Sequence, residues 1–148
     1  MLDVGCGHGD FYGFLKKQGM EVDYTGIDLS ANMIEVATKK YPKATFQKQN
    51  LFEINAPFDW VVASGILAYV HGDTWAYIRL VIQKMLSLAN AGIALNALSS
   101  ATPDDERMPA FFYVDPARFL REGEALAHRS EIDQNYLPND VTLRLLKH

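Results

Sequence analysis

The hydrophobic pattern of the chain alternates between short apolar runs and longer amphipathic stretches. The apolar runs predict five strands, at residues 1–4, 22–27, 44–48, 58–63 and 92–98. The fourth run is nearly continuous in apolar character, which is typical of a strand covered on both faces. Strands that alternate with helices through short links favour a parallel sheet with helices packed against it.

Three helices are predicted between these strands, at residues 10–18, 31–40 and about 74–90. The first is stopped by Gly19, since glycine readily ends a helix. The second follows Ser30, whose hydroxyl suits an N-cap position. The third begins at Asp73 or Thr74 and has apolar positions at intervals of three and four, as expected of an amphipathic helix.

The last third of the chain departs from this alternation. Residues 99–114 are predicted to lack regular secondary structure. Asp115 and Pro116 are predicted to be the N-cap and first residue of a helix that continues to about residue 127. Two further strands, at residues 129–137 and 141–147, are joined by a short turn and should therefore pair antiparallel. We expect residues 1–148 to form one α/β domain with a doubly wound, seven-stranded, mostly parallel sheet and a C-terminal antiparallel hairpin.

Composition narrows the range of functions. The chain has 148 residues, a net charge of −4 and a single cysteine. The acidic balance, without a basic run to neutralise phosphates, argues against nucleic acid as a partner. No apolar run approaches the roughly 18–20 residues that a membrane span needs. One cysteine provides neither an intrachain disulfide nor a cysteine-based metal site, so we expect a cytoplasmic protein without a bound metal.

The segment Asp3-Val4-Gly5-Cys6-Gly7-His8-Gly9 carries the strongest chemical signal. It lies between a predicted strand and a predicted helix, where glycines allow the backbone to approach a ligand closely. The following helix N-terminus presents N–H groups that favour an anionic group. Asp28 ends the next strand, 19 residues past Gly9. An acidic side chain there can accept hydrogen bonds from both hydroxyls of a ribose.

Together these segments resemble the class I S-adenosylmethionine-dependent methyltransferases. The resemblance covers residues 2–9 and 26–30 as the first two family motifs, 49–51 as the adenine-contacting segment, 58–65 as the fourth-strand motif and 136–146 as the closing hairpin. It implies a Rossmann-like fold and methyl transfer from S-adenosylmethionine, with S-adenosylhomocysteine as product. It also implies helices before the first strand, which this chain lacks.

The resemblance further implies residues that hold the two ends of the cofactor. Asp3 and the backbone of Gly5, Cys6 and Gly7 would bind the methionine portion. The Ser64-Gly65 pair would lie near the sulfonium and the amino group.

The adenosyl end is implied to contact a second set of residues. Asp28 would hold the ribose, and Leu29 would pack beside the adenine. Asn50, followed by Leu51, would meet the adenine amino group. Many relatives have aspartate in place of Asn50, whose amide oxygen accepts the same hydrogen bond without the strength that charge adds.

The acceptor is not specified by the sequence. Residues 64–67 carry neither the motif of nucleobase amino-methyltransferases nor that of cytosine carbon-5 enzymes, so a small-molecule acceptor remains by elimination. Tyr69 and His71 are the candidates for a general base, because both follow the fourth strand. His71 has the further advantage that a histidine titrates near neutral pH. A solvent-exposed loop histidine is the competing interpretation of His71.

Two other functions stay open at this stage. A nicotinamide-dependent oxidoreductase is disfavoured, because such enzymes usually carry Gly-x-Gly-x-x-Gly whereas Gly5, Gly7 and Gly9 are evenly spaced. A truncated or non-catalytic module that binds cofactor or a partner is the second alternative, favoured by the missing N-terminal helices.

Overall fold

The computed structural model describes residues 1–69 and 72–147, in which seven strands form one sheet. In chain order the strands are β1 (Leu2–Val4), β2 (Thr25–Asp28), β3 (Thr45–Lys48), β4 (Phe58–Ser64), β5 (Ala89–Leu98), β6 (Arg129–Asp133) and β7 (Asp140–Leu146). Their order across the sheet is β3-β2-β1-β4-β5-β7-β6. Strands β1 to β5 run parallel, and β7 runs antiparallel to both β5 and β6. The predicted fold class and closing hairpin are therefore confirmed.

Four α-helices connect the strands: α1 (Asp10–Lys17), α2 (Ala31–Lys40), α3 (Thr74–Leu88) and α4 (Pro116–Glu124). Three of them begin at the caps that the sequence indicates. The side chains of Ser30, Asp73 and Asp115 each accept a hydrogen bond from a backbone N–H in the first turn of the helix that follows. These bonds satisfy donors that a helix start otherwise leaves unpaired.

Successive side chains along each strand point to opposite faces of the sheet, and the two faces carry different hydrophobic clusters. On one face, α3 and α4 pack over a large apolar core that includes Leu2, Val61, Ile93 and Leu143, all fully buried. On the other face, α1 contributes Tyr12 and Leu15 to a smaller aromatic cluster, to which Tyr24, Tyr41 and Phe46 also belong.

The second face is covered unevenly. Helix α1 and the aromatic cluster lie over the β1–β3 half, whereas the side chains that β4, β5 and β7 present on this face remain partly accessible. Trp60 is 37 % exposed, and Val62, Ala94 and Thr142 are half-buried. Asp3 pairs in register with Val62, so it lies on this same face at the edge of the covered half.

Strand β1 is the point at which the winding of the sheet reverses. It pairs with β2 on one side and with β4 on the other. The connections that leave β1 and β4 therefore diverge and open a crevice at the carboxyl ends of these strands. Open α/β sheets bind their ligands in such a crevice.

Several element boundaries differ from the sequence prediction for local reasons. Helix α3 ends at Leu88 rather than near residue 90, because Ala89 is already extended and paired with Phe58. Strand β6 ends at Asp133 rather than at residue 137. The Asp133 carboxylate accepts a hydrogen bond from the N–H of Asn135, and the chain turns there.

Three further differences concern shorter segments. Strand β2 begins at Thr25, three residues later than predicted, because β3 pairs with it only from Thr45 onward. The region predicted as loop after β3 contains a 3-10 turn at Leu51–Glu53. A second 3-10 turn, Asp104–Glu106, lies in the segment predicted to be irregular. None of these shifts moves the glycine turn or the end of β2.

The large core predicts a strong contrast between two positions on α3. Ile82 is fully buried, whereas Leu80 is 54 % exposed. Ile82→Ala should lower the free energy of unfolding by about 2–5 kcal/mol, because it removes buried methyl groups and leaves a cavity. Leu80→Ala should change it by less than about 0.5 kcal/mol. Urea denaturation measures both, and equal losses would contradict the assignment of the buried face.

Candidate active site

The glycine turn after β1 is held in a conformation that requires its glycines. Gly5, Gly7 and Gly9 have φ angles of +72°, +53° and +76°, a region that other residues rarely adopt. A Cβ atom on Gly5 would lie 2.4 Å from Cγ2 of Ile66, so space as well as backbone angle excludes a side chain there. The turn thus brings bare backbone against the end of β4.

The N–H groups of this turn are already hydrogen-bonded within the protein. Those of Gly5 and Cys6 donate to the carbonyl oxygen of Ile27 at 2.8 and 3.0 Å. The N–H of Gly7 donates to Oδ2 of Asp28 at 3.1 Å. The N–H groups of residues 5–7 are therefore engaged, and the carbonyl oxygen of Cys6 already accepts from the N–H of Gly9 at 2.9 Å. The carbonyl oxygens of Gly5 and Gly7 suit a cationic group such as an ammonium.

Asp28 joins the glycine turn to the end of β2. Its second oxygen, Oδ1, accepts from the N–H of Ser30 at 2.8 Å. Each carboxylate oxygen has one backbone partner and keeps a further lone pair for a ligand. The carboxylate is thus bonded directly to the glycine turn, and its remaining lone pairs are available to ribose hydroxyls in the adjoining cleft.

A first cleft of about 570 Å³ opens beside Asp28. Its wall includes Asp28, Leu29, Gln49 and Gly65. Leu29 is 67 % exposed, so its side chain is available at the mouth of the cleft. Asp28 and Leu29, predicted at the adenosyl end of the ligand, therefore line one cleft with Gly65, which was predicted near the sulfonium.

A second cleft of about 390 Å³ lies on the other side of the glycine turn. It is lined by Asp3, Cys6, Phe11, Asn96 and Thr142, among others. The two clefts share Gly5 and Ser64. They therefore form one continuous depression that bends around the glycine turn, and Gly5 and Ser64 mark its middle.

Asp3 is the most electrostatically perturbed group of the site. It is 5 % exposed, and its Oδ2 accepts a hydrogen bond from the hydroxyl of Tyr24. Burial raises the pKa of Asp3 to about 6, the Tyr24 hydrogen bond opposes that shift, and the nearby Asp28 adds to it. This carboxyl group therefore changes its charge just below neutral pH.

The thiol of Cys6 has no chemical role at neutral pH. It is buried, and burial together with the charges of Asp3 and Asp28 raises its pKa to about 12. The thiolate is the nucleophilic form of cysteine, and at this pKa it is scarcely populated. Cys6 therefore contributes packing and backbone to the turn.

Two predicted contacts do not lie in the depression as the sequence suggested. Leu51 is 6 % exposed and belongs to the apolar core. Oδ1 of Asn50 accepts from the N–H of Phe52 at 3.0 Å, so the side chain caps the 3-10 turn. The neighbouring Gln49 lines the first cleft instead.

The candidate bases are only partly described. Tyr69 is 67 % exposed and lines the first cleft, on the same side of the glycine turn as Asp28. Its ring contacts Phe111 edge-on, with centroids 4.9 Å apart. His71 lies outside the described residues. The role of each as a base stays a prediction.

A polar network at the second cleft escaped the sequence analysis. Ser64 donates to Oδ1 of Asn96 at 3.0 Å, and Nδ2 of Asn96 donates to the Tyr136 hydroxyl at 2.8 Å. That hydroxyl is also 2.6 Å from Oγ1 of Thr142. The only sequence signal for this network is polar residues on strands that are otherwise apolar, and it becomes meaningful once β4, β5 and β7 are known to be neighbours.

Comparison with known proteins identifies the class of this fold and site. A family model described as a methyltransferase domain matches residues 1–90, well over half of the chain. The chain belongs to this methyltransferase-domain family. The family match favours methyl transfer over the nicotinamide-dependent alternative.

Individual relatives agree with this assignment. The chain is 29 % identical over 119 residues to a Mycobacterium tuberculosis protein named "Putative methyltransferase Rv1506c", covering 77 % of this chain and 72 % of that protein. Magnesium protoporphyrin IX methyltransferase from Synechocystis PCC 6803 with bound SAM has a TM-score of 0.74 at 18 % identity, covering 99 % of this chain and 69 % of that chain. A SAM-dependent methyltransferase from Archaeoglobus fulgidus has a TM-score of 0.74 at 16 % identity, covering 99 % and 85 %.

The raised pKa of Asp3 predicts how the stability of the ligand-free protein depends on pH. Between the ordinary value of 3.8 and about 6, the folded protein binds more protons at this site than the unfolded chain does. The contribution of Asp3 to stability is therefore full below pH 4 and is lost as pH rises through about 6. Asp3→Asn should be the more stable protein above pH 6, by up to about 3 kcal/mol, with the difference vanishing near pH 4.

Urea denaturation at a series of pH values between 4 and 8 measures this difference. Asp23→Asn is the matched control, because Asp23 is exposed and close in sequence to β2. A difference between Asp3→Asn and wild type that is independent of pH would contradict the buried, ionisable character of Asp3.

Proposed function

We propose that this domain transfers the methyl group of S-adenosylmethionine to a small-molecule acceptor in the cytoplasm. The single observation that carries the proposal is the Asp28 carboxylate bonded to the Gly7 N–H of the glycine turn, beside two clefts that share Gly5 and Ser64. An acid at the end of β2 and bare backbone at the end of β1 suit the ribose and the amino-acid end of one extended ligand.

The residues of the depression fit such a cofactor in three respects. Asp28 keeps lone pairs for ribose hydroxyls, and exposed Leu29 offers an apolar surface to an adenine ring. The carbonyl groups of Gly5 and Gly7 would suit the ammonium of the methionine portion, since the N–H groups of residues 5–7 are already paired. Asp3 lies on the same side and adds a carboxyl group.

The cofactor supplies a methyl group that is already activated by its attachment to a sulfonium. The task of the chain is therefore to align the acceptor, for which effective molarities contribute roughly 7–11 kcal/mol. Ser64 and Gly65 at the end of β4 would border the reacting centre, where the two clefts meet. A base is needed only if the acceptor still carries a proton, and Tyr69 and His71 are the proposed candidates.

Two considerations support a small molecule as the acceptor. One structural relative is named for the methylation of magnesium protoporphyrin IX, a small molecule. The net charge of −4 disfavours nucleic acid.

Within residues 1–69 and 72–147, no helix is both long enough and apolar enough to cross a membrane.

Isothermal titration with S-adenosylhomocysteine, S-adenosylmethionine and NAD tests the proposal. We expect saturable binding of the first two and none of the third. Failure of a folded sample to bind either adenosyl compound would overturn the proposal. Binding without methyl transfer to any of a broad panel of small molecules would favour the non-catalytic module.

Asp28→Ala should weaken the binding of S-adenosylhomocysteine by about 1–3 kcal/mol, because ribose hydroxyls would lose a charged acceptor. Asp23→Ala, which removes an exposed carboxylate nearby, should leave the affinity unchanged. The dissociation constants are measured by calorimetry. Since Asp28 also accepts two backbone hydrogen bonds, thermal unfolding of each variant checks that the glycine turn remains folded. Equal affinities of Asp28→Ala and wild type would contradict the assigned role.

A further inference from the structure

The hydroxyl of Tyr24 makes a contact that neither the glycine motif nor the family match explains. Tyr24 immediately precedes β2, and its hydroxyl donates a hydrogen bond to Oδ2 of Asp3 in the neighbouring strand. Both side chains are almost completely buried. A tyrosine hydroxyl buried against a carboxylate is a specific arrangement, since phenylalanine would fill the same space without it.

The ring of Tyr24 is fixed by its aromatic neighbours. The ring centroids of Tyr12 and Phe46 lie 4.9 and 5.8 Å from that of Tyr24, at steep interplanar angles. The Tyr12 ring is tilted by 48° and the Phe46 ring is edge-on at 61°, and packing against both restricts the Tyr24 ring. The hydroxyl is consequently held at one position relative to β1, and the carboxyl group that it contacts is held with it.

Besides its contact with Tyr24, Asp3 lines the second cleft together with Gly5 and Ser64. One carboxyl group therefore links the aromatic cluster beneath α1 to the part of the depression that would receive the amino-acid end of the cofactor. We infer that Tyr24 is a positioning residue, whose hydroxyl holds the Asp3 carboxylate in the orientation that binds the ammonium group at the amino-acid end of the cofactor. This inference rests on the proposed function.

The groups around Asp3 oppose its ionisation, and the hydrogen bond from Tyr24 favours it. Asp28 disfavours a negative charge on Asp3, and the thiol of Cys6 offers no compensating positive charge. Asp10 also lines the second cleft, with its carboxylate paired to Lys40 at 2.6 Å. Among the groups that shift the pKa of Asp3, the Tyr24 hydroxyl is the one that lowers it.

The pH dependence of S-adenosylhomocysteine binding tests this role. In the wild type, the affinity should rise with pH through about 6 as Asp3 ionises. Tyr24→Phe removes the hydrogen bond to the charged form, so the midpoint should move upward by about one pH unit. At pH 6.5 this shift corresponds to a several-fold weaker affinity, and a smaller loss should persist at pH 8.5, where Asp3 is ionised in both proteins but the hydroxyl no longer holds its carboxylate in place.

Tyr12→Phe is the matched control. It removes a hydroxyl from the same aromatic cluster, and Tyr12 is not among the groups that shift the pKa of Asp3. Its binding midpoint should coincide with that of the wild type. In an Asp3→Asn background, Tyr24→Phe should have no effect on the pH profile, because no ionisable partner remains.

A second measurement needs no ligand. The carboxyl carbon resonance of Asp3, followed by NMR in the ligand-free protein, should titrate near pH 6 in the wild type and about one unit higher in Tyr24→Phe. The Tyr24 ring carbon that bears the hydroxyl should inflect at the same pH as Asp3 in the wild type. This wild-type measurement applies even if Tyr24→Phe does not fold.

The outcomes separate the inference from the proposed function. An upward shift of the midpoint in Tyr24→Phe, absent in Tyr12→Phe, supports the inference. An equal loss of affinity at every pH indicates a purely structural role and overturns it, as does an Asp3 resonance that titrates identically with and without the hydroxyl. Absence of S-adenosylhomocysteine binding to the wild type, together with a shifted Asp3 titration, overturns the proposed function and leaves the Tyr24–Asp3 coupling established.

Discussion

The hydrogen bond from the Gly7 N–H to the Asp28 carboxylate is the interaction on which the geometry of the site depends. It joins the turn after β1 to the end of β2 at the point where the winding of the sheet reverses. With the Gly5 and Cys6 N–H groups bound to Ile27, it fixes both ends of the depression relative to each other. The N–H groups of residues 5–7 are thereby occupied, and Asp28 places a negative charge directly beside the turn.

The site also contains a cost to stability. Asp3 is buried on a sheet face where burial and the neighbouring Asp28 both oppose its ionisation. A residue that only packed would be better replaced by an amide of the same shape. Retaining an ionisable group at such a position is common where a charge has a task, because perturbed pKa values accumulate at functional sites. The Tyr24 hydroxyl reduces this cost without removing the charge.

The sequence predicted the strands, most helix starts and the position of Asp28, because those features have local causes. Ser30, Asp73 and Asp115 cap their helices through bonds that span only three residues. The Tyr24–Asp3 contact and the Ser64–Asn96–Tyr136 network could not be predicted in this way. Each joins residues at least 21 positions apart, and each depends on which strands become neighbours and in which register. The burial of Leu51 was missed for the same reason, since it follows from contacts with distant parts of the core.

The position of β7 between β5 and β6 has a consequence for how the chain folds. Strand β5 gains its second neighbour only from residues 140–146, which are synthesised more than 40 positions later. Until they are synthesised, the backbone donors and acceptors of residues 92–98 on the edge of β5 away from β4 have no partner. Unpaired strand edges favour association between nascent chains. Completion of the sheet beyond β5 is therefore expected to be a late event in biosynthesis.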